Sequence, residues 1–88
     1  ANIETLYHIV DGQAEALEFH ADNTTMNTGI PFKDIKFRKN LIVAAIERNG
    51  KVIIPSGNDC IYDGDSVVIV CRNSRIYELN DVFENGGR

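Results

Sequence analysis

The sequence predicts an α+β domain, a small β-α-β-β-β-α unit with an antiparallel-rich sheet and a C-terminal helix. Three observations carry this. First, residues 41–72 contain strand-length runs of apolar, largely β-branched side chains at 41–46, 52–54 and 67–71. Second, turn chemistry separates those runs: Glu47-Arg48-Asn49-Gly50, Pro55-Ser56-Gly57-Asn58-Asp59 and Asp63-Gly64-Asp65. Third, Ile76, Leu79, Val82 and Phe83 form an apolar stripe at helical spacing near the end of the chain.

The elements follow in chain order. Residues 1–12 carry Ile3, Leu6, Tyr7 and Val10 at a helical spacing, but the run is short enough to be a strand-like linker instead. Residues 14–22 alternate cleanly, with Leu17, Phe19 and Ala21 on one side and Glu18, His20 and Asp22 on the other, as a half-exposed strand requires. A polar connection ends at Gly29. A short helix is expected at residues 30–35, with Thr28 as its cap and Pro31 in its first turn.

In the next stretch, Asn49-Gly50 marks a hairpin, because both central positions of a type I′ turn need positive φ. The runs flanking it at 41–46 and 67–71 lack clean alternation, which predicts strands covered on both faces. Asn73 or Ser74 is expected to cap the final helix, and Asn85-Gly86-Gly87 to end it.

At 88 residues the chain forms one domain. A domain of this size buries only about 60–65% of its unfolded surface and gains from a partner. No apolar run approaches the roughly 20 residues that span a bilayer, and the start of the chain lacks the pattern of a signal peptide. The absence of an initiator Met leads us to expect an excised fragment, and a cytoplasmic location is the default. Cys60 and Cys71 make a poor disulfide framework; both are expected to be unpaired and largely buried. The net charge of −4 argues against general nucleic-acid binding. That charge is uneven: Lys33, Lys36, Arg38 and Lys39 against Asp34 make residues 33–39 locally positive, a face suited to a small anion or simply to solvent.

The phrases IVAAIERNGKVIIP and IYDGDSVVIV, in this order, resemble the C-terminal (TrkA-C, or RCK-C) domain of potassium-transport regulators, and the resemblance runs from about residue 8 to 83. It implies a division of the chain into a linker from an upstream domain at 1–12, the TrkA-C domain at 13–84 and a disordered tail at 85–88. It also implies a cytosolic regulatory domain of a Trk-type potassium uptake system, peripheral to the membrane, which forms a homodimer or larger ring and contacts a membrane potassium channel or transporter. No cofactor is expected in this domain; an NAD or ATP site would lie upstream of Ala1.

Some relatives of this family bind cyclic di-AMP between two such domains, through a basic residue before the first core strand, an Asn within it and adjacent amides. Carried over, this marks Lys36, Arg38, Asn40, Leu41 and Ile42 as the ligand-binding candidates for a small anionic nucleotide effector. The Asn of that pattern stands here as Ile42, which offers no hydrogen bond, and Ile30-Pro31 lacks the basic residue usual in the preceding loop. The same fold on a potassium/proton antiporter is a first alternative function.

A second alternative is a small metal-dependent enzyme using Asp59, Asp63 and Asp65. These lack the ligand spacing of a calcium loop, and Asp63-Gly64-Asp65 fits an ordinary turn. His20 has no second ligand at metal spacing, and Ser56 has no His partner that would make it a nucleophile. No catalytic or metal residue is therefore assigned.

Overall fold

Leu17 lies opposite Ile69 and Phe19 opposite Val67 on neighbouring strands, and these pairs fix how the sheet assembles. The structure is a computed structural model and describes residues 3–72 and 75–84. Its five strands are β1 (Ile3–Ile9), β2 (Ala14–His20), β3 (Leu41–Arg48), β4 (Lys51–Ile53) and β5 (Ser66–Cys71). They form one sheet in the order β1-β2-β5-β3-β4, with every neighbouring pair antiparallel.

The missing alternation in residues 41–46 has a local cause. Val43 pairs with Ile69 and Ala45 with Val68, so Ala44 is an extra residue in β3. This bulge reverses the side-chain parity. Leu41 and Val43 face inward before it and Ile46 faces inward after it, opposite Val67. The expectation of strands covered on both faces is thus corrected. In β5 only Val67, Ile69 and Cys71 are buried, while Ser66, Val68 and Val70 on the other face are partly open. Asn49 and Gly50 do take positive φ, 53° and 77°, as the hairpin requires.

One face of the sheet carries the core. Leu17, Phe19, Ala21, Ile46, Val67, Ile69 and Cys71 bury against Ile61, Ile76, Leu79, Val82 and Phe83 from outside the strands. Phe32, Ile35 and Phe37 from the long β2–β3 connection pack against this cluster. The covering layer is irregular rather than helical, and two expectations change with it. In the 30–35 region only a single 3₁₀ turn forms, Phe32–Asp34, with Pro31 rather than Thr28 at its cap position.

The C-terminal helix is likewise replaced by a 3₁₀ turn, Leu79–Val82, held by reciprocal bonds between Glu78 and Asp81. The chain cannot coil further because it is extended against the β3 approach. The Arg38 amide donates to the Val82 carbonyl and the Glu84 amide to the Lys36 carbonyl, each at 2.9 Å. Phe83 thereby bridges to Phe37, with their rings 5.7 Å apart. Spacings of three among Ile76, Leu79 and Val82 suit a threefold turn as well as an α-helix, so the apolar stripe is buried as expected in a different backbone. The proposed caps at Asn73 or Ser74, the stop at Asn85-Gly86-Gly87 and the tail 85–88 lie outside the described residues.

At the other end, residues 3–9 take the extended one of the two forms considered and pair with β2. The turn that follows places Val10, Asp11 and Gly12 at φ 53°, 54° and 78°. For the two non-glycine residues this left-handed conformation costs about 1–2 kcal/mol each.

Candidate functional site

The start of β3 is where the expected site residues fall. Asn40 enters the strand at φ 65°, a conformation that Asn tolerates better than most residues. Its carbonyl accepts the Arg72 amide at 2.9 Å and ties the entry of β3 to the exit of β5. Leu41 then turns inward opposite Cys71, and Ile42 turns outward opposite Val70. Ile42 is 62% exposed, an unusual position for an isoleucine in the middle of a sheet.

Two open concavities meet at Leu41 and Ile42. One, of about 330 Å³, is lined by Phe32, Phe37, Val43 and Pro55, with Lys33 and Ser56 among its polar neighbours. The other, of about 500 Å³, is lined by Ala14, Asn40, Val70, Cys71 and Arg72. The structure therefore brings Asn40, Leu41 and Ile42 together. Lys36 and Arg38 line neither groove. The Lys36 side chain is exposed. Arg38 turns to the C-terminal segment, where Nη1 donates to the Asp81 carbonyl at 3.1 Å and to the Arg75 carbonyl at 3.4 Å.

The cation of the first groove is Lys33, which the sequence placed only within a basic run. Its backbone amide donates to the Gly57 carbonyl at 2.9 Å, and this contact carries it to the 55–57 turn. Nothing local in the sequence signals that contact, because the two segments are far apart in the chain.

The three carboxylates considered for metal chemistry do separate jobs. Asp59 accepts the Ser56 amide at 2.7 Å and closes its own turn. Asp63 is exposed. Asp65 accepts Nε of Arg48 at 2.9 Å and Nη2 at 2.8 Å, and its Oδ2 also takes the Tyr62 amide at 2.8 Å. Burial alone would raise the Asp65 carboxyl, but the Arg48 guanidinium and the Tyr62 amide outweigh it and hold its pKa below the ordinary 3.8. Arg48 also donates to the Cys60 carbonyl at 2.9 Å and lies 4.6 Å from the centre of the Tyr62 ring. The unit is a structural staple that sequence inspection missed. Among the described residues no group of three or more His, Cys, Asp or Glu is arranged to hold a metal ion.

Cys71 is buried and Cys60 half-buried, and both are free thiols. Burial, with Glu15 nearby, pushes the Cys71 thiol above its ordinary pKa. No helix among the described residues is long and apolar enough to cross a membrane.

Among the described residues, none forms a layer over the outer face of the sheet. Across its centre run Tyr7 of β1, Ala16 of β2, Val68 and Val70 of β5, and Ile42 and Ala45 of β3, placed there by the register of each pair. Tyr7 and Ile42, at opposite sides of this apolar strip, are 64% and 62% exposed.

The TrkA-C domain family matches residues 23–84. Three relatives show what the chain is similar to. A Trk system potassium uptake protein TrkA homolog 2 of Methanosarcina mazei is 34% identical over 82 residues, which cover 93% of this chain and 18% of that protein. A Trk system potassium uptake protein TrkA of Azorhizobium caulinodans is 31% identical over 81 residues, 92% of this chain and 18% of that protein. A Trk system potassium uptake protein TrkA homolog of Pyrococcus horikoshii is 32% identical over 72 residues, 81% of this chain and 32% of that protein. The chain thus spans 18% to 32% of the length of these relatives.

Proposed function

The chain belongs to the TrkA-C domain family, and on that premise we propose that it is a regulatory domain of a Trk-type potassium uptake system, acting through assembly rather than chemistry. Its partners are further copies of itself and a membrane potassium transporter, and its place is the cytoplasmic side of that membrane. The observation that carries this reading is the uncovered outer face around Ile42, Val68 and Val70, a contiguous apolar strip on a domain too small to cover it. Packing two such faces across a two-fold axis gives an isologous dimer. A regulator built this way changes its transporter only when some condition favours one assembly geometry over another.

The test is sedimentation of the 9.8 kDa chain at micromolar concentration. We expect an assembly of more than one chain, and we expect Ile42→Lys to lower its mass by undoing the outer-face contact, without loss of the folded spectrum. A wild-type monomer under these conditions overturns the assembly reading. In cells, Ile42→Lys in the full-length protein is expected to lower potassium uptake.

The first groove favours a second layer of function, an anionic effector. Lys33 stands there beside the aromatic rings of Phe32 and Phe37, with Asn40, Leu41 and Ile42 at the neighbouring strand entry. One cation and an aromatic wall suit a nucleotide such as cyclic di-AMP, whether the domain serves an uptake system or an antiporter. Thermal shift against cyclic di-AMP, ATP and NADH tests this, and a melting temperature that none of them moves removes the effector from the proposal.

A further inference from the structure

β1 is held in place almost entirely by backbone pairing. None of its seven residues is buried, and of its side chains Ile3 is the one packed against the core. The ladder to β2 runs from Ile3 opposite Phe19 to Ile9 opposite Ala14, with His8 and Glu15 3.8 Å apart across it. The connection that closes this ladder is strained. Val10 and Asp11 both sit in the left-handed region, and a β-branched residue there is a true outlier. Such strain persists only while the surrounding structure enforces it.

Extending residues 10–13 relieves both positions, since Val strongly prefers extended φ. It also separates β1 from β2, leaving β2 with one unpaired edge and β1 with no pairing at all. A second copy in the same state offers the complementary edges. We propose that this chain dimerises by exchanging β1: the strand Ile3–Ile9 of one copy pairs with β2 of the other, reciprocally, with residues 10–13 as an extended hinge. Every ladder bond is kept in the exchanged form, and Ile3 is replaced on the core by the same residue of the second copy. Short, strained hinges favour such exchange. The exchange uses only β1, β2 and their hinge, so it does not depend on the association of outer faces or on the potassium reading.

Tyr7 lies opposite Ala16 in the ladder, which gives a direct test. Chains carrying Tyr7→Cys alone and chains carrying Ala16→Cys alone are unfolded in urea, mixed, refolded together and oxidised with diamide. Directly opposed strand residues lie within disulfide reach. Peptide mapping is expected to find positions 7 and 16 linked between chains, in excess over 7–7 and 16–16 links and distinct from any bond at Cys60 or Cys71. Val10→Gly in both chains is expected to lower that yield several-fold, because glycine carries no left-handed penalty. Ile42→Lys is expected to leave it unchanged. If no 7–16 link joins two chains while a Tyr7→Cys/Ala16→Cys chain forms it internally, the exchange is overturned. A yield insensitive to Val10→Gly likewise overturns the strained hinge as its cause.

Discussion

Asp65 is 1% exposed yet remains charged because Arg48, at the far end of β3, grips both of its oxygens. Breaking one side of a buried ion pair leaves an uncompensated charge, typically at about 3–5 kcal/mol. The Arg48 side chain keeps 30% of its exposure, so water recovers part of this. We expect Asp65→Ala to cost about 2–4 kcal/mol by urea unfolding. Arg48→Ala combined with it should cost clearly less than the sum of the two single changes, and strict additivity would show that the pair is not coupled.

The same carboxylate sets an acid limit. Its folded pKa lies below the ordinary 3.8, so its stabilising contribution is fully present above that value. It is lost as pH falls through the lower, folded pKa, because the unfolded chain then binds the proton more readily. Wild-type stability is expected to drop on acidification below about pH 4, a drop that Asp65→Asn reduces. Equal slopes for the two proteins would assign acid sensitivity to other groups.

Lys36 and Arg38, similar in sequence, should separate in experiment. Lys36→Ala is expected to change stability by less than about 0.5 kcal/mol, as surface changes do. Arg38→Ala removes bonds to the Asp81 and Arg75 carbonyls and should cost about 1–2 kcal/mol. Thermal or urea unfolding of each variant decides this, and equal effects would contradict the position of Arg38.

The cysteines predict a two-rate labelling pattern. Cys71 is buried with a raised pKa, so it should react slowly with a thiol reagent in the native state at pH 8 and fast in denaturant. Cys60 is only half-buried and should label first. Because the folded pKa of Cys71 is raised above 9.0, its contribution to stability is complete below that pH and declines as pH rises beyond it.

The strands were legible where local chemistry decides them. Leu17 and Phe19 announced the inner face of β2 by alternation, with Ala21 buried just beyond the strand, and Asn49-Gly50 announced its turn. The bulge at Ala44 was not legible, because an apolar residue at every position of 41–46 reads the same whether both faces are covered or the parity reverses. The C-terminal stripe was legible as core but not as backbone: a spacing of three serves either helix type, and the choice fell to the distant pairing of Phe83 with Phe37. Among the site candidates, Asn40, Leu41 and Ile42 came from a family pattern and line the two grooves, whereas Lys33 reaches the first groove through a contact with Gly57 that no local motif encodes.

The strand made last, β5, lies in the middle of the sheet, between β2 and β3. On the ribosome, therefore, the two halves of this domain wait for each other. The β1–β2 and β3–β4 hairpins can close as soon as they emerge, but each keeps an unsatisfied inner edge and a bare apolar face until residue 71 is out. Ile76, Leu79, Val82 and Phe83 then have to emerge as well before that face is covered. Nascent chains stalled short of residue 84 should accordingly be protease-sensitive and bound by chaperones, and the domain should become resistant in a single late step rather than strand by strand.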